Sequence, residues 1–218
     1  MKGDKRVTRV LGARMIPQLE EGLRASLGLL PGERSLGLIT TDCDDASYAA
    51  LDEATKMAAV RVAYAKSMYA GAKSASTALA GEFIGVLAGP SPAEVRSGME
   101  AALRYLEDGC CFYSANDADS VVYFAHCIPR SGSYLSAQCG IREGAPLAYL
   151  IAPPMEALLG LDAALKAADV ALAYFYGPPT ETNFAGGLLT GDEAACRAAC
   201  RAFAAMVEDA AAAPACMR

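Results

Sequence analysis

The sequence has no uninterrupted apolar run of about 18 residues, so no segment reads as a membrane-spanning helix. It also lacks a basic surplus: 19 Lys and Arg stand against 25 Asp and Glu, a net charge of −6 with a pI near 4.9. Nucleic acid demands a basic surface for its phosphates, so it is not an expected partner. The charged start Met1–Arg6 is not followed by an apolar core and a small-residue cleavage site. No secretory signal is therefore expected, and the expected location is cytoplasmic. Histidine is almost missing. His126 is the only one, so a Ser/His/Asp or Cys/His engine has a single base to draw on. It falls in an apolar run, where a hydrogen-bonded strand histidine is the simpler reading. No Gly-rich phosphate fingerprint follows a strand, Gly186-Gly187 being too short.

Apolar residues make up 54% of the chain, much of that Ala, which allows close helix–sheet contact without building a membrane span. Eight cysteines in a long, core-rich chain read as reduced thiols filling the core, not as a disulfide framework. Cys196 and Cys200 lie one helical turn apart but lack evident partner ligands nearby, so no metal is expected, and no cofactor either.

The chain repeats itself. Met15-Ile16-Pro17 is echoed by Cys127-Ile128-Pro129, Leu23 and Gly28 by Leu135 and Gly140, and Leu51-Asp52 through Lys56 by Leu161-Asp162 through Lys166. The offset of roughly 110 residues is the size of a small domain and not of a solenoid repeat. Two tandem domains are expected, 1–109 and 110–218. The pattern predicts strands at 34–40, 83–87, 121–125, 147–151 and 172–176. Helices are predicted at 47–69 and 161–170, with two further ones opened by Ser91-Pro92-Ala93-Glu94 and by Thr190-Gly191-Asp192-Glu193. Each half is thus a mixed α/β (α+β) unit with helices packed on a small antiparallel sheet. The segment 71–80 has almost no apolar anchor and reads as a loop, with Lys66 and Lys73 as solvated charges.

Asp44 and Asp45 stand at a strand-to-helix junction. They serve either as helix-terminal acceptors complementing the dipole, or, with Glu82, as the carboxylates round a small cation. Glu82-Phe83 aligns with Asn183-Phe184, so the carboxylate exists in one copy only.

The stretch Leu161–Val170, followed by a strand and then Leu189-Thr190-Gly191-Asp192-Glu193-Ala194-Ala195, resembles a bacterial microcompartment shell domain. With two such domains in one chain, the resemblance narrows to the tandem-domain shell proteins of ethanolamine utilisation. Further matching segments are Arg34–Ile39, Asp44-Asp45 with Tyr48, Asp52–Lys56, Ser131–Ser136, Ala148–Pro154 and Glu181–Asn183. The first residues, up to about Val7, fall outside it. The resemblance implies circularly permuted domains and a homotrimer imitating a hexamer. It implies a place in the shell beside other microcompartment shell proteins, and no enzymatic activity. It also implies a central pore closed by loops, for which 69–80 and 177–183 are the gate candidates. The small pore of each subunit would hold ethanolamine through Asp44, Asp45, Glu82, Phe112 and Thr182. The rival reading is a soluble oligomeric amine sensor, which would stay a discrete particle where a tile forms flat arrays.

Overall fold

The computed structural model describes residues 1–69 and 82–215. The chain divides into two compact units. The first holds Thr8–Cys110 and takes in Gly132–Leu135; the second holds Cys111–Ser131 and Ser136–Arg218 and takes in Met1–Val7.

In the first unit, β2 (Val10–Ile16), α1 (Glu21–Ser26), β3 (Ser35–Thr41), α2 (Asp44–Met57), β4 (Arg61–Met68), β5 (Glu82–Gly89) and α3 (Pro92–Arg104) follow in order. The second copy runs through β7 (Val122–Ile128), α4 (Ser133–Cys139), β8 (Leu147–Ala152), α5 (Pro154–Ala167), β9 (Val170–Tyr176), β10 (Ala185–Gly191) and α6 (Glu193–Ala212). The antiparallel sheets repeat the same strand order, β2-β3-β5-β4 and β7-β8-β10-β9. To the latter, β6 (Phe112–Ser114) adds on β7, and β1 (Lys5–Arg6) adds on β6. The N-terminal residues outside the family resemblance thus lengthen one sheet. Arg6 pairs with Asp119, and Lys2 Nζ reaches Glu208 Oε2 at 2.9 Å.

Alternation along each strand sorts side chains to two faces. In β3, Gly37 lies against Val95 and Met99 of α3, where an added Cβ would come within 2.6 Å of the Met99 sulfur. Its neighbours Leu36 and Leu38 face the other way, towards Leu19, Leu27 and Leu29 around α1. The core of the second unit joins Ala148 and Leu150 of β8, Leu189 of β10, Ala157 and Leu161 of α5, and Cys196, Phe203 and Val207 of α6. Gly160 is the close-approach point there, since a Cβ would meet the Phe203 ring at 2.6 Å.

The helix expected at 47–69 begins earlier and ends at Met57, where Ala58 turns extended. Beyond it the period changes from helical to two: Tyr64, Lys66 and Met68 are exposed and Ser67 is buried. β-branched Val60 and Val62 suit that strand better than a helix. The helix expected at 161–170 starts instead at Pro154 and gives way to β9 at Val170. Pro at a first helical turn fits, because its missing N–H would be unpaired there anyway. The two capped starts stand as read. Ser91 Oγ accepts from Glu94 N at 3.3 Å, and Asp192 Oδ1 accepts from Ala195 N at 2.7 Å. The Glu94 carboxylate does not return to Ser91, as a full capping box would have it, but accepts from Ala59 N at 2.7 Å.

The repeat extends to helix ends. Gly28 and Gly140, with φ near +61° and +62°, close α1 and α4 in the left-handed conformation that only glycine adopts without penalty. Leu29 N then donates to Arg24 O, and Ile141 N to Ser136 O, in the same pattern.

Candidate functional site

The start of α2 is built from the end of β3. Thr41 and Ser47 hydroxyls lie 2.7 Å apart and each reaches the Cys43 carbonyl, at 2.8 and 2.7 Å. Cys43 is the residue before the helix and makes no side-chain cap; burial pushes its thiol well above the usual range. Asp44 and Asp45 occupy the first turn and are both buried, with Asp45 N donating to Asp44 Oδ1 at 3.0 Å. Carboxylates there complement the positive end of the helix dipole.

Glu82 opens β5 opposite Met68 of β4, and its neighbour Phe83 stands opposite both Thr41 and Ser67. The strand end carrying Glu82 is therefore the end from which β3 leaves for α2. Phe83 is fully buried and takes the edge of Tyr48 at 4.9 Å, while Tyr48 Oη lies 2.8 Å from Ser67 Oγ. Glu82 is itself buried. Its sequence counterpart Asn183 is not in a strand at all; it precedes β10 with φ near +65°.

The other two expected ligand-site residues belong to the second unit. Phe112 in β6 packs on Phe124 and Phe184, ring centroids 5.2 and 5.7 Å away. Thr182 is buried, its hydroxyl 3.3 Å from that of Thr180. Thr180 also accepts from Phe184 N at 3.2 Å through its hydroxyl, and its own N donates to Phe184 O at 2.9 Å. The gate candidate 177–183 is thus a turn closed on itself by hydrogen bonds. Of the candidate 69–80, all but Tyr69 lies outside the described residues, as does Lys73.

His126 sits in β7 opposite Tyr149, its ring 5.5 Å from Phe124. Cys196 and Cys200 are buried, and burial raises their thiols to about 11 and about 12. Among the described residues all seven cysteines are free, and no group of three or more His, Cys, Asp or Glu could hold a metal ion. No helix among them is long and apolar enough to cross a membrane.

One polar constellation was not singled out by sequence reasoning. The Asp52 carboxylate, fully buried in α2, accepts from Gly132 N at 2.7 Å and Leu135 N at 2.9 Å, capping α4 from another element. Thr55 Oγ1 accepts from Ser133 N at 3.1 Å, and Tyr48 stacks on Tyr134 at 6.3 Å. A Cβ at Gly132 would meet Thr55 Oγ1 at 2.3 Å, so only glycine fits there. Burial raises the pKa of Asp52, and the two N–H donors act against that rise. The available signal was Gly132 standing where the first copy has Glu20.

A BMC domain model matches residues 35–117. The chain is 59% identical over 214 residues to the bacterial microcompartment shell protein EutL of Clostridium perfringens, spanning 98% of this chain and 99% of that one. The chain belongs to the EutL family of bacterial microcompartment shell proteins. EutL of Escherichia coli is 50% identical over 194 residues, 89% of either chain. The crystal structure of the ethanolamine utilization protein EutL from Leptotrichia buccalis superposes with a TM-score of 0.95 at 58% identity, over 100% of both chains. The EutL fold is therefore present over the full length, including β1 and the run from β2 to α3.

Proposed function

We propose that this chain is a tile of the shell enclosing an ethanolamine-degrading microcompartment, assembled as a homotrimer with a gated central pore and three small ethanolamine-binding pores. The observation that carries the reading is the duplicated strand order, β2-β3-β5-β4 and β7-β8-β10-β9, in one chain. Two equivalent wedges per chain supply six in a trimer, the number a hexagonal tile needs. The work of such a tile is selective passage and not catalysis. Among the described residues, the rearranging element in this reading is the segment 177–183.

For the ligand, the reading assigns the ammonium to the buried carboxylates Asp44, Asp45 and Glu82 at one end of the first unit. An ammonium stripped of water needs several such acceptors. Phe112 and Thr182 belong to the same reading as the residues the second unit supplies. Ethanolamine has few heavy atoms, each contributing at most about 1.5 kcal/mol, so binding is weak. Electron microscopy of the purified protein tests the tile: flat hexagonal arrays support it, and discrete particles under all conditions favour a soluble amine sensor. Titration calorimetry tests the ligand. Glu82→Gln keeps the shape, removes the charge and weakens ethanolamine by about 1.5–3 kcal/mol. Equal binding by both proteins would displace the site from Glu82.

A further inference from the structure

In the second unit three thiols meet on one face of the sheet. Cys127 of β7 pairs with Ala148 of β8, and Ala148 pairs on its other side with Leu189 of β10. Cys196 of α6 lies over that row, its Sγ 3.9 Å from Leu189 O, and Cys200 follows one helical turn on. Cys127 packs against the core cluster that contains both. The first copy has apolar side chains in all three places. There Met15 pairs with Gly37 as Cys127 does with Ala148, and Val95 and Met99 close over Gly37, within 3.0 and 2.6 Å of an added Cβ. Counted from the capping residues Ser91 and Asp192, Val95 and Met99 stand where α6 has Cys196 and Cys200.

We propose that Cys127 and Cys200 are a thiol pair which a small disulfide of the glutathione class converts into a bridge between β7 and α6. The register of helix on strand selects Cys200. Tyr123 Oη of β7 donates to Glu208 Oε1 of α6 at 2.8 Å. Four strand residues on from Tyr123, about 13 Å, is Cys127, and the same length back along α6 from Glu208 is about eight or nine residues, at Cys200. Cys196 is instead turned to Leu189 O, on the side of β8 away from Cys127. Access differs in the way exchange requires. Cys127 is half-buried and meets the small disulfide, whereas Cys200 is buried and meets only Cys127. Burial raises both thiols, and Arg197 on the intervening turn acts against that rise at each. In the first step the Cys127 thiolate attacks one sulfur of the small disulfide, whose other half leaves as a thiolate. The Cys200 thiolate then attacks the Cys127 sulfur and displaces the second half. Two protein S–H groups are oxidised to one S–S bond, and their two protons pass to the two small thiols released.

Wild-type protein equilibrated with oxidised glutathione, alkylated and digested without reduction, tests this by mass spectrometry. The expected product is a peptide pair linked through Cys127 and Cys200, lost again on treatment with dithiothreitol. Cys200→Ala is expected to stop after the first step, with one glutathione held on Cys127 and no bridge. Cys196→Ala is expected to bridge as the wild type does. Circular dichroism melts show whether each variant is folded, and the oxidised wild type is expected to melt several degrees above its reduced form. Should Cys200→Ala fail to fold, the linked peptide of the wild type decides alone. Cys127 left unmodified, or a bridge from Cys127 to Cys196, would overturn the proposal.

Discussion

The same four-residue spacing, Asp followed by Lys one turn on, gives opposite environments in the two copies. In α2, Asp52 is fully buried with Lys56 Nζ at 3.8 Å, and its carboxylate accepts two backbone N–H groups at the start of α4. In α5, Asp162 and Lys166 form a 2.6 Å pair in the open, with side chains 63% and 74% exposed. The capping of the short helix has changed sides: α4 borrows Asp52 because Gly132 has no side chain, and α1 uses its own Glu20. The difference teaches that an acidic residue's role in this fold is set by what lies across from it and not by its local motif.

The largest test of that contrast is Leu135→Ala against Leu23→Ala. Removing the covered leucine is expected to cost about 2–5 kcal/mol in urea unfolding. The exposed one is expected to change the stability of a dissociated chain by less than about 0.5 kcal/mol. Equal losses would break the comparison. Phe203→Ala, in the core of the second unit, calibrates it at about 3–5 kcal/mol.

Next in size, Asp52→Ala leaves two buried N–H groups without an acceptor and is expected to lose about 1–3 kcal/mol by the same measurement. Asp162→Ala removes only an exposed pair one turn apart, about 0.3–0.5 kcal/mol. The smallest effect is in pH dependence, and its sign separates two carboxylates. The pKa of Asp52 is raised above its ordinary 3.8, so its ionised form opposes folding at neutral pH. That penalty is relieved as pH falls through the raised value. The pKa of Glu33, held by Arg61 at 2.8 and 2.7 Å, is lowered from its ordinary 4.5. Its contribution is present above that ordinary value and is lost as pH falls through the lowered one. Melts from neutral to acid pH are therefore expected to fall less steeply for Glu33→Gln than for the wild type. For Asp52→Asn they are expected to lose the compensating gain and fall more steeply.

Much of the fold was legible because the repeat and the caps are local. Ser91 and Asp192 announce their helices, and Leu147–Ile151 is apolar throughout because β8 is an interior strand buried on both faces. The boundary at Met57 was not legible from helical spacing alone. Ala-rich sequence satisfies that spacing well past the helix end, and only pairing with β5 makes 61–68 a strand. Pro154 as a helix start was hidden in the apolar run that continues from β8. For the site, the buried state of Asp44, Asp45 and Glu82 follows from their position at the ends of α2 and β5. The part played by Asp52 was illegible because its partners lie about 80 residues away, at Gly132 and Leu135.

The central claim, that two wedges in one chain are made to assemble with further copies into a closed tile, is tested most directly by the solution mass of the wild-type protein. Native mass spectrometry or light scattering at several concentrations is expected to give one species of three 22.6 kDa chains. A stable single chain, or a two-chain particle that does not grow with concentration, would contradict it.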